Sequence, residues 1–190
     1  MIKNFLQSQV AVKKKQIMIG NRVPRDFFIT SGKGQSEITI HAGSYHLALK
    51  DAGIEMCNIV TYSSILPGIA NEVERPESLV HGSVIETIMA CCNAQRGQVA
   101  TAGIIFGWLY DRLTGKKYGG LVCEYNGHDS EEEAVKSLKA SLYELYTNGF
   151  KEKYEIRDVK VISRSFVPEK KFGTALVALC FTNYQCPIIE

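Results

Sequence analysis

Two long apolar stretches, Ser83 to Cys92 and Val99 to Tyr110, constrain this chain more than any other feature. They flank the polar segment Gln95-Arg96-Gly97-Gln98, and that pattern predicts a β-hairpin. The rest of the fold must be built around this sheet surface. Upstream, the cluster Phe27-Phe28-Ile29 predicts a first strand from Arg25 to Thr30, ending at Ser31-Gly32-Lys33-Gly34. Ala42, Tyr45, Ala48, Leu49 and Ala52 recur at helical spacing and predict a helix over His41 to Ala52, with Gly53 where a C′ glycine belongs. Asn58 to Ser63 is β-branched and aromatic, so it reads as a strand. Pro67-Gly68 breaks the chain, which is irregular to about Ser78.

Downstream, Thr114-Gly115-Lys116-Lys117 is a turn and Gly120 to Tyr125 a short strand. Ser130 and Glu133 fit a capping box. The helix they open is expected to bury Ala134, Leu138, Leu142 and Leu145 and to stop near Gly149. Val159 to Val167 and Thr174 to Thr182 are the closing strands. Strands come in runs, without a strict βαβ alternation, so the expected class is α+β. One domain is expected over 26–190, after a partly ordered tail over 1–25 that contains the charge run Lys13-Lys14-Lys15.

Composition narrows the function. The 190 residues are 45% apolar and 22% charged, with a net charge of +2. That balance gives no footprint for nucleic acid or an anionic membrane. No apolar run approaches the roughly 20 residues needed to cross a bilayer. The N-terminus lacks the h-region and cleavage site of a signal peptide. The six cysteines (Cys57, Cys91, Cys92, Cys123, Cys180, Cys186) show no C-x-x-C spacing and lie mostly in apolar runs, so the expected compartment is the reducing cytoplasm. The four histidines (His41, His46, His81, His128) form no H-x-x-x-H or H-E-x-x-H pattern, and no metal site is predicted.

Chemistry concentrates at Asn58-Ile-Val-Thr-Tyr-Ser63-Ser64-Ile-Leu-Pro67, where two serines end a strand just before a Pro-containing break. A Ser-Ser pair there is ordinarily a turn. The wider segment, with the helix end Ala48-Leu49-Lys50-Asp51-Ala52-Gly53-Ile54 before it, resembles the processing site of the pyruvoyl-dependent arginine decarboxylases. The block Gly119-Gly-Leu-Val-Cys-Glu124-Tyr125 resembles the family's strand bearing a catalytic glutamate. The resemblance covers roughly Asp26 to Thr182.

It implies a four-layer αββα sandwich that assembles as a homotrimer, or a multiple of it, with active sites between subunits. It also implies self-cleavage between Ser63 and Ser64, giving fragments 1–63 and 64–190. The Ser64 hydroxyl would attack the Ser63 carbonyl, and elimination and hydrolysis would turn Ser64 into a covalent pyruvoyl group. Asn58 would donate to the developing oxyanion, and strain in a tight turn would help. The pyruvoyl ketone would form a Schiff base with an amino acid, L-arginine by resemblance, and release CO₂ and agmatine for polyamine supply or acid resistance. Glu124 is the expected proton donor to the substrate carbon.

The chain departs from the pattern at substrate recognition. Where the arginine enzymes place an aspartate toward the guanidinium, this chain has His46, which supplies no counter-charge when neutral. Glu37, Asp51 and Glu55 are the nearby acidic candidates, with Asp51 and Glu55 flanking the Gly53 turn. Decarboxylation of another amino acid, or a non-processing, non-catalytic homologue, stays open at this level. A serine hydrolase would have to recruit His81 or His128 and has no G-x-S-x-G.

Overall fold

The computed structural model describes residues 18–189. The run Lys13-Lys14-Lys15 and the first seventeen residues of the expected tail lie outside the described residues. The chain runs through β1 (Met18–Ile19), β2 (Val23–Pro24), β3 (Asp26–Ser36), a π-helical stretch (Ile40–Tyr45), α1 (His46–Ala52), β4 (Asn58–Thr61), β5 (Ile65–Pro67) and β6 (Asn71–Glu72). It continues through β7 (Val84–Gln95), β8 (Ala100–Asp111), β9 (Lys117–Gly127), α2 (Glu131–Gly149), β10 (Tyr154–Phe166), β11 (Phe172–Phe181), β12 (Tyr184–Gln185) and β13 (Ile188–Ile189). Most of it is sheet, with α1 and α2 as the α-helices, which is the α+β class.

Two large sheets form. One has five strands in the order β4-β7-β11-β3-β6, the other four in the order β10-β8-β9-β5. Residues 18–25 are tied down by pairing: β1 with β13 and β2 with β12.

The predicted hairpin does not form. β7 pairs with β4 and β11, whereas β8 pairs with β9 and β10, so the two apolar strands lie in different sheets. The reason is in their inward residues. Ile88, Ala90, Cys92 and Ala94 of β7 share one buried core with Ala100, Ala102, Ile104 and Phe106 of β8. These mostly small side chains face one another across the sheets instead of lying side by side within one. Phe27, Val177, Leu179 and Phe181 complete this core.

Each sheet buries its outer face under a helix. Ala48, Leu49 and Ala52 of α1 pack on Phe28, Leu176, Ala178 and Cys180 of the five-stranded sheet. Leu138, Leu142 and Tyr146 of α2 pack on Ile105, Leu109 and Leu121 of the four-stranded one. Tyr146 takes the place expected of Leu145, which is 38% exposed, because the buried positions keep the four-residue step from Ala134. The capping box at Ser130 and Glu133 is present.

The first strand also runs further than predicted, through Gly32-Lys33-Gly34. A Cβ on Gly34 would stand 2.2 Å from the Ser44 carbonyl oxygen, and one on Gly32 2.1 Å from that of Ala48. These glycines therefore mark close helix contact, not a strand end. The helix that follows opens one turn wide, as the π-helical stretch before α1, and closes on Gly53 in the left-handed region (φ 71°).

Candidate active site

The chain leaves the five-stranded sheet at Thr61, the end of β4, and enters the four-stranded sheet at Ile65, the start of β5. Tyr62, Ser63 and Ser64 are thus a crossover between sheets. The Tyr62 N–H donates to the Thr87 carbonyl (2.7 Å), holding the near side on β7. The Val122 N–H donates to the Ser64 carbonyl (3.1 Å), holding the far side on β9.

Two residues along β9, on the same face as Val122, stands Glu124. Val122 packs in the core between the sheets, while Leu121 and Cys123 pack beneath α2, so Glu124 faces the gap that the crossover spans. The Ser64 hydroxyl donates to both carboxylate oxygens, at 2.9 Å to Oε1 and 2.8 Å to Oε2. Both residues are half-buried and Ser63 is exposed. Burial, with the Glu124 carboxylate beside it, pushes the Cys123 thiol up.

The Ser63 carbonyl accepts the Ile65 N–H at 3.0 Å. This donor was not foreseen, because a backbone N–H leaves no mark in residue type. Asn58 stands elsewhere. Its side-chain amide donates to the Gly82 carbonyl (2.9 Å) and its N–H to the Ser83 carbonyl (2.8 Å), which secures the start of β4. Among the described residues its side chain makes no hydrogen bond to the Ser63 carbonyl. The turn is not visibly strained: among the described residues the one non-glycine in the left-handed region is Asp158 (φ 52°).

The expected substrate contacts sit on α1 and the turn after it. His46 is exposed at the first turn of α1. Asp51 accepts the Lys33 N–H (2.9 Å) and the Arg164 guanidinium (3.1 Å). Glu55 is half-buried in the turn after Gly53. Glu37 pairs with Arg96 (3.0 Å). Among the described residues none of these four hydrogen-bonds to Ser63, Ser64 or Glu124. Nor do the histidines assemble a triad: His81 Nδ1 meets the Met56 sulfur (3.3 Å) and His128 Nδ1 the Val99 carbonyl (2.8 Å). Among the described residues no three His, Cys, Asp or Glu side chains converge to hold a metal ion.

One buried charge has no counterpart among the residues that the sequence pattern singles out. Glu86 lies inside the apolar stretch of β7, 3% exposed, and is paired with Arg22 before β2. Its signal was a lone charge in a strand otherwise apolar. Arg22 also lies over the Tyr184 ring, 5.0 Å from its centroid, and burial pushes the Tyr184 phenol up to about 12.

The fold is thus α+β, and its crossover between sheets carries a serine pair with a carboxylate on the second hydroxyl. The family model for pyruvoyl-dependent arginine decarboxylase matches residues 26–186. The pyruvoyl-dependent arginine decarboxylase of Methanopyrus kandleri is 33% identical over 82% of this chain and 95% of its own length. A second such decarboxylase, from Archaeoglobus fulgidus, is 30% identical over 84% and 97%. The one from Chlamydia muridarum is 30% identical over 87% and 94%. The chain belongs to the pyruvoyl-dependent arginine decarboxylase family, whose cofactor is a covalent pyruvoyl group.

Proposed function

We propose that this chain cleaves itself between Ser63 and Ser64 and decarboxylates L-arginine to agmatine and CO₂, for polyamine supply or acid resistance. The observation that carries this reading is the Ser64 hydroxyl held on both oxygens of Glu124, beside a Ser63 carbonyl that accepts the Ile65 N–H. A peptide carbonyl yields to a neighbouring hydroxyl only when the hydroxyl can lose its hydrogen and the oxygen can carry charge. Glu124 takes the hydrogen, Ser64 Oγ bonds to the Ser63 carbonyl carbon, and the Ile65 N–H holds the oxyanion. Collapse breaks the C–N bond, returns a proton to the nitrogen and leaves an ester. Loss of the Ser64 α-hydrogen and cleavage of its Cβ–Oγ bond free Ser63 as a carboxylate and leave dehydroalanine. Addition of water and loss of ammonia convert that residue to the pyruvoyl group. Once formed, the group supplies a ketone that draws electrons from the bond to the departing carboxyl. Glu124, beside position 64, returns a proton to the substrate carbon.

The four-layer αββα arrangement is supported by α1 outside one sheet and α2 outside the other. A homotrimer, or a multiple of it, with sites between subunits rests on membership of the family, and in it the exposed Asn58 and His46 would be open to a second copy. A cytoplasmic location is supported by six free cysteines, Cys57 to Cys186. Substrate contacts from His46, Asp51 and Glu55 belong to the same trimeric reading. A second reading, another amino acid as substrate, is favoured by one observation: His46 stands exposed where the resemblance calls for an aspartate.

The test is an intact-mass measurement followed by decarboxylation assays on arginine, lysine, ornithine and aspartate. Fragments 1–63 and 64–190, with a hydroxylamine-reactive ketone on the larger and highest activity on arginine, are expected. A full-length mass after prolonged incubation would overturn the processing. Processed protein inactive on arginine would leave the second reading standing.

A further inference from the structure

We propose that Arg22 and Glu86 build a carboxylate site beside the cleavage point, and that its occupant is the terminus created at Ser63. This rests on the processing reading above. A cavity of about 320 Å³ is lined by Arg22, Pro24, Tyr62, Ser63, Ile65 and Pro67, so it opens on the bond to be cut. Its one formal charge comes from Arg22, whose side chain is 55% exposed.

That arginine is held from behind. Alternation along β7 puts Glu86 on the same face as Ile88 and Ala90, toward the core between the sheets. The Glu86 side chain is 4% exposed; its Oε1 takes the Arg22 guanidinium, and its Oε2 is buried with no partner among the described residues. A guanidinium has five N–H donors, and one carboxylate oxygen uses one of them. The Tyr184 ring supports its face. Donors therefore remain on a fixed fork at the cavity wall, the geometry that binds carboxylates.

Processing creates one new anion at this place. Before the cut Ser63 ends in a neutral amide carbonyl; afterwards it carries a carboxylate made of that carbonyl oxygen and the former Ser64 Oγ. Seated on Arg22, the new terminus is drawn into the cavity and away from position 64. The substrate's α-carboxylate is the other source of the same chemistry. A guanidinium there would stabilise the group that has to leave, and so work against the reaction.

The test is carboxypeptidase trimming of the processed protein, followed by the mass of the 1–63 fragment. Wild type is compared with Arg22→Gln, Arg22→Lys and a free peptide ending in the same four residues, Val60 to Ser63. Wild type is expected to lose Ser63 at least tenfold more slowly than both the peptide and Arg22→Gln, with Arg22→Lys between. Trimming of wild type as fast as the peptide would overturn the site even where a variant fails to fold. Equal trimming of wild type and Arg22→Gln would also overturn it, and a raised KM for that variant would move the site to the substrate's carboxylate. Failure of the processing reading shows separately, as no 1–63 mass before protease is added.

Discussion

The chain passes from the five-stranded sheet to the four-stranded sheet at two places that hold very different groups. Between β7 and β8 it crosses through Arg96, Gly97, Gln98 and Val99; between β4 and β5 it crosses through Tyr62, Ser63 and Ser64. The first is closed by the Gln98 N–H on the Gln95 carbonyl (3.0 Å) and the Gly97 N–H on the Pro168 carbonyl (3.0 Å), with Gly97 in the left-handed region (φ 78°). Nothing there can attack a carbonyl. The second has a carbonyl that already accepts an N–H, and a hydroxyl that already rests on a carboxylate. Crossing between sheets is therefore not what makes a backbone reactive. Under the proposed cleavage, the carboxylate brought up by β9 is.

Four substitutions break or sharpen this contrast, in descending order of effect. Ser64→Ala removes the nucleophile and should leave one full-length mass, with decarboxylation at background, a loss of about 10⁴-fold or more. Measurable fragments in that variant would sink the assigned cleavage point. Glu124→Gln keeps the shape but cannot cycle a proton. Decarboxylation should fall about a hundredfold or more, and the cut, which loses its hydrogen acceptor, should slow as well. Unaltered turnover would remove Glu124 from the reaction. His46→Asp restores a counter-charge and should shift kcat/KM toward arginine over ornithine by roughly tenfold, the scale of about 1.4 kcal/mol; identical kinetics would make His46 a bystander. At the inert crossover, Gly97→Ala forces a Cβ into the left-handed region and should cost about 1 kcal/mol in denaturant stability. The cut should proceed at the wild-type rate, and slowed processing would show that the two crossovers are coupled.

Much of this was readable from residue order because the signals were local. The capping box at Ser130 and Glu133, the glycine after α1 and the β-branched run from Asn58 each act within a few residues of themselves. The serine pair and the strand of Glu124 were legible too, through the resemblance of two short blocks. What stayed hidden depends on pairing at a distance. Apolar strands joined by a short turn fit a hairpin and a crossover equally well, and only the packing of Ala90, Cys92 and Ala94 against Ala100 and Ala102 decides between them. Glu86 was lost inside an apolar run because its partner, Arg22, lies 64 positions away. The Ile65 N–H was invisible because every residue but proline has one.

The ladder between β3 and β11 runs unbroken from Phe172 opposite Ser36 to Phe181 opposite Phe27. Under the proposed cleavage, one side of it belongs to the shorter piece and the other to the longer. The two pieces are then woven into one fabric, and neither can leave without tearing the middle of a sheet. Melting becomes the parting of strangers who must meet again to recover. Regain of structure after denaturation should therefore fall with dilution more steeply for the cut protein than for an uncut Ser64→Ala chain.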